Sequence, residues 1–356
     1  MPPPDQPLLP FSEPPGPVTS WPLSAALTAL PLSFGREREL GLLTQSIHQL
    51  GLLRPLWGAR DSHGQPRILA GGLRLEALRR LGQATVPVQL WPGQDPAHWW
   101  AVALADNLSR RPNSAEKALM WAALTADLGA AAEGLGELIE LPRNPRARGQ
   151  YLAAARLPAR VLLALAQERL DLATAATLAE LGPTGVALWD LLETYRPSLQ
   201  TRRQWLEWLT DLARRADRTP LSLAQELALA PESDSSLSSE SALSLESAAA
   251  PEASSPHRPG RTPPRPAFAN GFGPRLWARR FPQLARLTAD RQRLLKALSL
   301  PPQVTLKLDP TLEDGVSSLI LTFDSVAELS ERLRGLQTLL ADERFPRLWE
   351  PRWPEE

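Results

Sequence analysis

Arg67-Ile68-Leu69-Ala70-Gly71-Gly72-Leu73-Arg74 is the stretch whose reading decides the fold of the amino-terminal part of the chain. A short apolar run, Ile68-Leu69-Ala70, stops at paired glycines and passes into an amphipathic helix from Leu73 to Leu81. Strand, glycine turn and helix together make a place for an anion. Glycine lets the backbone come close, the first helical N–H groups have no partner within the helix, and the dipole favours negative charge there. Gly71 and Gly72 are therefore candidate phosphate contacts. Downstream, Asp95-Pro96 reads as the N-cap and first residue of a second helix. Its far end brings Asp106, Asn107 and Arg110 within about a turn and a half of one another, a carboxylate, an amide and a cation near one face.

Upstream, Leu40, Leu43, Ile47 and Leu50 recur at three-and-four spacing, so Arg38 to Leu50 reads as an amphipathic helix that Gly51 ends. Pro55 to Arg60 and Arg67 to Ala70 read as two short strands joined by the turn Asp61-Ser62-His63-Gly64, and Val86 to Leu90 as a third. These pieces predict a small α/β domain with a mixed sheet, because a hairpin and a strand–helix–strand unit share it.

Beyond Arg110 the pattern is all helix. Asn113-Ser114-Ala115-Glu116 is a capping box that opens a helix to about Leu128. Further helices are expected over Gly134–Leu141, Arg146–Ala155, Pro158–Glu168, Leu172–Leu181, Val186–Tyr195 and Thr201–Arg215. Short helices joined by tight turns in such a setting are the helix-turn-helix arrangement. Residues 141–160 carry Arg143, Arg146, Arg148, Arg156 and Arg160 and no carboxylate. Arginine suits bidentate contact with phosphate or guanine, and Asn144, Gln150 and Tyr151 add polar groups for bases or backbone. Trp189, Trp205 and Trp208 recur at helical spacing and read as core.

Residues 1–18 are Pro-rich, lack any basic residue and predict a disordered tail, and residues 230–268 are Ser, Ala, Glu and Pro in shifting proportion and predict a flexible linker. The carboxy-terminal residues 269–356 form a third readable piece. Leu284 to Leu298 is helical, Val304 to Leu308 and Leu319 to Phe323 alternate around a turn at Glu313-Asp314-Gly315, and Ser325-Val326-Ala327-Glu328 is another capping box. The helix it opens sets Val326, Leu329, Leu333, Leu336 and Leu340 in a heptad seam. A hairpin with one helix is too small to be stable alone, so this face predicts a homodimer.

Composition excludes several classes. Lys+Arg and Asp+Glu both total 39, so any basic surface must be local. Without a cysteine there are no disulfides, thiolate metal sites or cysteine nucleophiles. His48, His63, His98 and His257 show no metal-ligand spacing. No apolar run reaches membrane-spanning length and no basic-then-apolar leader opens the chain, so a cytoplasmic protein without membrane contact is expected.

The order of the pieces resembles the amino-terminal part of ParB-type partition proteins. Ser46-Ile47-His48-Gln49-Leu50-Gly51, Arg54-Pro55-Leu56, Ile68 to Arg74, Ala84-Thr85-Val86-Pro87-Val88 and Asp106-Asn107-Leu108-Ser109-Arg110 stand where that family has S-I-x-x-x-G, Q-P-I, I-A-G-E-R-R, V-P-V and E-N-x-Q-R. Leu157-Pro158 to Leu178 is similar to the family's L-P-x-x-V to L-S-x-G-H-A helix pair. The resemblance implies an α+β multidomain chain. A ParB/sulfiredoxin-like mixed α/β nucleotide-binding domain (19–110) precedes an all-α helix-turn-helix domain (111–229), and a carboxy-terminal ββα dimerisation domain (269–356) follows the linker.

The resemblance further implies a nucleoid-associated, dimeric protein that binds double-stranded DNA at a palindromic, centromere-like site in chromosome or plasmid segregation. Arg143, Asn144, Arg146, Arg148, Gln150, Tyr151 and Arg156 are the candidate DNA contacts. It implies CTP held by Gly71, Gly72, Arg74, Asn107 and Arg110, with Mg2+ on Asp106 and Asn107, so that the domain closes as a sliding clamp. Gly72 and Leu73 replace the family's Glu and Arg and Ser109 its Gln, which predicts at most weak CTPase activity. A ParA-type ATPase is the partner the family implies. Relatives reach it through a basic tail, whereas the first basic residue here is Arg36. The alternative is a ParB-like transcription regulator without clamp or ParA partner. A sulfiredoxin-like reductase would need a cysteine, and a nuclease a dense carboxylate cluster.

Overall fold

In the computed structural model of the chain, the described residues are 16–24, 27–61, 64–92, 95–107, 110–229, 269–298, 304–307 and 318–348. Nearly all of the expected tail, the whole expected linker and the turn at Glu313-Asp314-Gly315 lie outside them. The chain forms two units, Met1–Asp190 and Leu191–Glu356.

The first unit is built on five strands, β1 (Val18–Pro22), β2 (Thr28–Ala29), β3 (Leu56–Arg60), β4 (Pro66–Ala70) and β5 (Thr85–Leu90), in spatial order β1-β5-β3-β4-β2. β3 pairs antiparallel with β4 and parallel with β5, so the hairpin and the crossover do share one sheet. β1, antiparallel on β5, and β2, parallel to β4, are two edge strands that the sequence pattern does not reveal. They are short, β1 ends in proline, and tertiary pairing rather than alternation makes them strands. Gly58 sits where the β3 register shifts. A Cβ there would lie 2.6 Å from Val88 Cγ1 and 3.0 Å from the Trp21 ring, so only glycine lets that indole cover the middle of the sheet.

Both faces of the sheet are covered. On one, α1 (Glu37–Leu50) and α2 (Gly72–Arg80) bring Leu40, Ile47, Leu75 and Leu78 against Leu56, Ile68, Val86 and Val88. On the other, α3 (Pro96–Asp106) and α4 (Ser114–Leu128) bring Trp99, Trp100, Leu104, Trp121 and Leu124 against Ala59 and Leu69. This second core continues into Leu135, Ile139 and Leu141, so apolar packing runs without a break across Arg110. Asp127 fastens the same junction, accepting from Trp100 Nε1 at 2.8 Å and pairing with Arg67 Nη1 at 3.1 Å.

The helix expected over Gly134–Leu141 is broken into a single turn, α5 (Ala132–Leu135), and a 3-10 segment, Gly136–Ile139. Glycines at 134 and 136 weaken the helix, and Glu140 at φ 55° turns the chain so that Leu141 points into the core. Then come α6 (Pro145–Ala154), α7 (Ala159–Ala166), α8 (Leu172–Glu180) and α9 (Pro183–Thr194), with α6 laid against α4 and α8.

In the second unit α10 (Leu199–Arg215) and α11 (Pro220–Leu229) pack with α12 (Ala269–Arg280), and Phe272 stacks on Tyr195 at 4.8 Å and meets Trp205 at 5.0 Å. α12 contains Gly271, Gly273 and Pro274, residues that disfavour a helix, and is helical through that packing. α13 (Pro282–Leu298), the hairpin β6 (Val304–Lys307) and β7 (Ser318–Leu321), and α14 (Val326–Leu340) enclose a small core of Leu298, Val304, Leu336, Leu339 and Leu348. Ser325 caps α14, but Glu328 reaches back to the N–H of Asp324, one residue before the box position. The expected heptad seam is split. Leu336 turns inward with Leu339 to cover the hairpin, while Val326, Leu333 and Leu340, seven residues apart, are 77%, 46% and 60% exposed.

Candidate functional site

The turn after β4 has the expected form. Gly71 takes the left-handed conformation, φ 101°, and stands as N-cap of α2 with no side chain capping the helix end. Gly72 begins the helix beside Ser33, whose Oγ would be 3.3 Å from a Cβ at that position. Asp95 caps α3 by accepting from the Ala97 N–H at 3.0 Å, and Pro96 follows it as first helical residue. At the other end Asp106 is exposed and Asn107 donates its side-chain amide to the Ala103 carbonyl at 2.8 Å.

The two cations expected to face a phosphate are otherwise engaged. Arg74 folds back over Gly71 and donates to the carbonyls of Pro55 at 2.7 Å and Arg54 at 3.2 Å. Burial lowers its pKa, offset in part by the charge of Asp106, so the glycine turn and the end of α3 share one electrostatic neighbourhood. Arg110 donates to the Leu32 carbonyl and to Glu116 Oε1 at 3.1 Å. Burial pulls its pKa down, with Glu116 opposing and Arg36 adding to the shift.

Glu116 is the centre of this junction and is fully buried. Its carboxylate accepts from Arg36 Nε at 2.6 Å and Nη2 at 2.8 Å, from Arg110, and from the N–H groups of Phe34 at 3.0 Å and Asn113 at 2.9 Å. Asn113 returns the capping-box bond to the Glu116 N–H at 2.9 Å and donates to the Phe34 carbonyl at 3.0 Å. Burial by itself would raise the Glu116 pKa. Arg36, then the charge of Arg110 and the two amides, outweigh it and hold the carboxyl below its ordinary range. The result is a staple between residues 32–36, the connection 110–113 and the start of α4. Sequence marks Glu116 only as a capping residue, because nothing in a linear pattern tells that a carboxylate will be enclosed.

Among the described residues no group of three or more His, Cys, Asp or Glu side chains could hold a metal ion. Asp106 and Asn107 offer a carboxylate and an amide oxygen, a set that suits Mg2+ where phosphate and water complete its shell.

α6 separates the seven candidate DNA contacts by environment. Asn144 is its N-cap, accepting from the Arg146 N–H at 2.9 Å, and Pro145 is its first residue. Arg143 is exposed and pairs with Glu137 at 2.7 Å, which raises its pKa. Arg146 and Arg156 are exposed, and neither side chain has a partner among the described residues. Gln150 is half-buried beside them. Arg148 requires a correction. It is only 6% exposed, pairs with Glu133, donates to the Pro142 carbonyl at 2.9 Å and lies 5.1 Å above the Trp121 ring. It anchors the helix from below and does not present its guanidinium outward. Tyr151 is half-buried with its ring against the core, and burial raises its pKa. Arg160 is tied to Asp190 at 3.0 and 2.8 Å. In α8, Ala175 and Ala176 are core residues.

No family model matches the chain, and no curated protein does. Two solved structures are similar to it. One is the C-terminally truncated chromosome-partitioning protein ParB from Caulobacter crescentus complexed with CTP-gamma-S, 26% identical over 49% of this chain and 97% of that one, with a TM-score of 0.24. The other is the C-terminally truncated ParB of the same organism complexed to the centromeric parS site, 24% identical over 45% of this chain and 84% of that one, with a TM-score of 0.26. At these TM-scores the likeness assigns no residue and no ligand to this chain. No helix among the described residues is long and apolar enough to cross a membrane.

Proposed function

We propose that the chain is a dimeric, sequence-specific DNA-binding protein of the ParB type, reading a palindromic site in chromosome or plasmid segregation. α6 carries the reading: a helix locked from beneath by Arg148, with Arg146 exposed on it and Arg156 exposed just past its end, neither paired among the described residues, Gln150 on the same helix, and no carboxylate between residues 141 and 160. Exposed guanidinium groups on a rigid helix suit phosphate and base edges, and the held helix fixes their register on a duplex. The outward row Val326, Leu333 and Leu340 supports dimerisation through a second copy, whose two-fold axis would match a palindrome.

CTP is the proposed ligand of the glycine turn. Gly71 and Gly72 would offer backbone N–H groups, Arg74 and Arg110 would pair with phosphate, and Asp106 and Asn107 would hold Mg2+, which when bound neutralises charge on the phosphate oxygens. A phosphate would have to draw Arg110 from Glu116 and Arg74 from the Arg54 and Pro55 carbonyls. That engagement favours the second reading, a ParB-like transcription regulator without a CTP-dependent clamp or ParA partner. The test is selection of duplexes from a random library by the full chain, followed by genome-wide footprinting with and without CTP. A palindromic motif with CTP-dependent spreading supports the clamp, and a palindrome without spreading supports the regulator. Failure to enrich any duplex at low ionic strength overturns both.

A further inference from the structure

We infer that Gly149 sets how closely α6 approaches a duplex. The inference rests on the reading of α6 as the DNA-facing helix and adds a position that no charge pattern marks. Gly149 lies inside α6, is exposed, and has an ordinary right-handed helical backbone. A Cβ built there meets nothing within 4 Å, so neither conformation nor packing inside the protein requires glycine. Glycine in a helix interior lowers helix stability relative to alanine, a cost that a contact outside the protein would offset.

Its surroundings say what that is. Arg146, three residues earlier in α6, is exposed on the same side of the helix, and Arg156, in the turn just past the end of α6 at Ala154, is exposed as well. Arg148 and Ala154 face the other way and are buried. A side chain at 149 would stand beside Arg146 on that face and hold the main chain away from whatever the exposed cations grip. With glycine, the backbone itself can approach phosphate and base edges more closely in a major groove wide enough to admit a helix. Gly41 in α1 supplies an internal comparison. It too is exposed with nothing within 4 Å of a Cβ, but it lies in α1, outside the arginine-rich segment, and the exposed Glu37 one turn before it is paired with Arg80.

The experiment uses the full chain and the duplex that the wild-type chain enriches from a random library. Gly149→Leu is expected to raise or preserve the melting temperature while weakening affinity at least about tenfold. Gly149→Ala should gain roughly 2–4 °C with a smaller loss of affinity. Gly41→Leu should match the stability effect and leave affinity unchanged. Arg146→Ala/Arg156→Ala tests the underlying reading, and should weaken binding without a shift in melting temperature. Gly149→Leu binding like wild type while the arginine pair loses affinity overturns the close-approach inference alone. Gly149→Leu losing stability in step with affinity also overturns it, because the residue then packs internally. If the arginine pair also binds like wild type, α6 is not the reading helix and both fall.

Discussion

Replacing Glu116 by glutamine keeps the shape of the side chain and removes its charge from a site that is fully buried. The carboxylate accepts from Arg36, Arg110, Phe34 and Asn113 through both oxygens, whereas glutamine keeps one acceptor. With that oxygen placed toward Arg36 Nε, Arg110 and Phe34, its amide group confronts Arg36 Nη2 and the Asn113 N–H, donor against donor. Removing one member of a buried pair costs about 3–5 kcal/mol. The Arg36 and Arg110 side chains are 17% and 25% exposed, so water relieves part of that, and about 2–3 kcal/mol is expected. For a unit of this size the first thermal transition should fall by roughly 5–10 °C at pH 7.

The pH dependence adds a second constraint. The folded-state pKa of Glu116 lies below its ordinary value of 4.5, so its contribution is present above that pH and is lost as pH falls through the folded value. The gap between wild type and Glu116→Gln should therefore narrow on acidification below the ordinary value. Thermal unfolding followed by far-UV circular dichroism at neutral and acidic pH measures both. A neutral-pH shift under about 2 °C, or a gap that stays constant on acidification, would refute the staple.

Other substitutions separate anchoring from contact. Arg148→Ala should lower the melting temperature and DNA affinity together, by about 1–3 kcal/mol in stability, because it empties the seat of α6 over Trp121 and removes the donor to the Pro142 carbonyl. Arg146→Ala should leave melting unchanged and reduce the salt dependence of DNA binding by about one phosphate contact, read from titrations at several salt concentrations. Gly58→Ala should destabilise the first unit by about 1–3 kcal/mol in urea unfolding, since its methyl would collide with Val88 and the Trp21 ring. Val326→Asp/Leu333→Asp should convert the chain to a monomer at micromolar concentration in sedimentation, with secondary structure retained, because both positions face outward.

The local elements of both units were largely legible in the residues themselves. Glycine at 51 and 71, the caps at Asp95, Asn113 and Ser325, and the apolar spacing of α1 and α14 are short-range rules that hold wherever the segment sits. β1, β2 and α12 were not legible, because Val18–Pro22 becomes a strand only on β5 and a helix with two glycines and a proline forms only where Phe272 is buried beside Trp205.

What the sequence by itself determined is which side chains are available: a glycine turn ahead of a helix, an arginine-rich segment free of carboxylates, and an apolar helix face near the carboxy terminus. The tertiary structure alone decided which of them point outward. Arg146 and Arg148 are two positions apart and chemically identical, yet helical rotation turns one toward solvent and the other onto Trp121 and Glu133. Arg110 and Arg74 are candidates for phosphate by sequence, and folding places Glu116 and two backbone carbonyls within their reach as competing partners. The physical reason is that a charge takes its partner from whatever the chain packs beside it, and packing is not written in spacing.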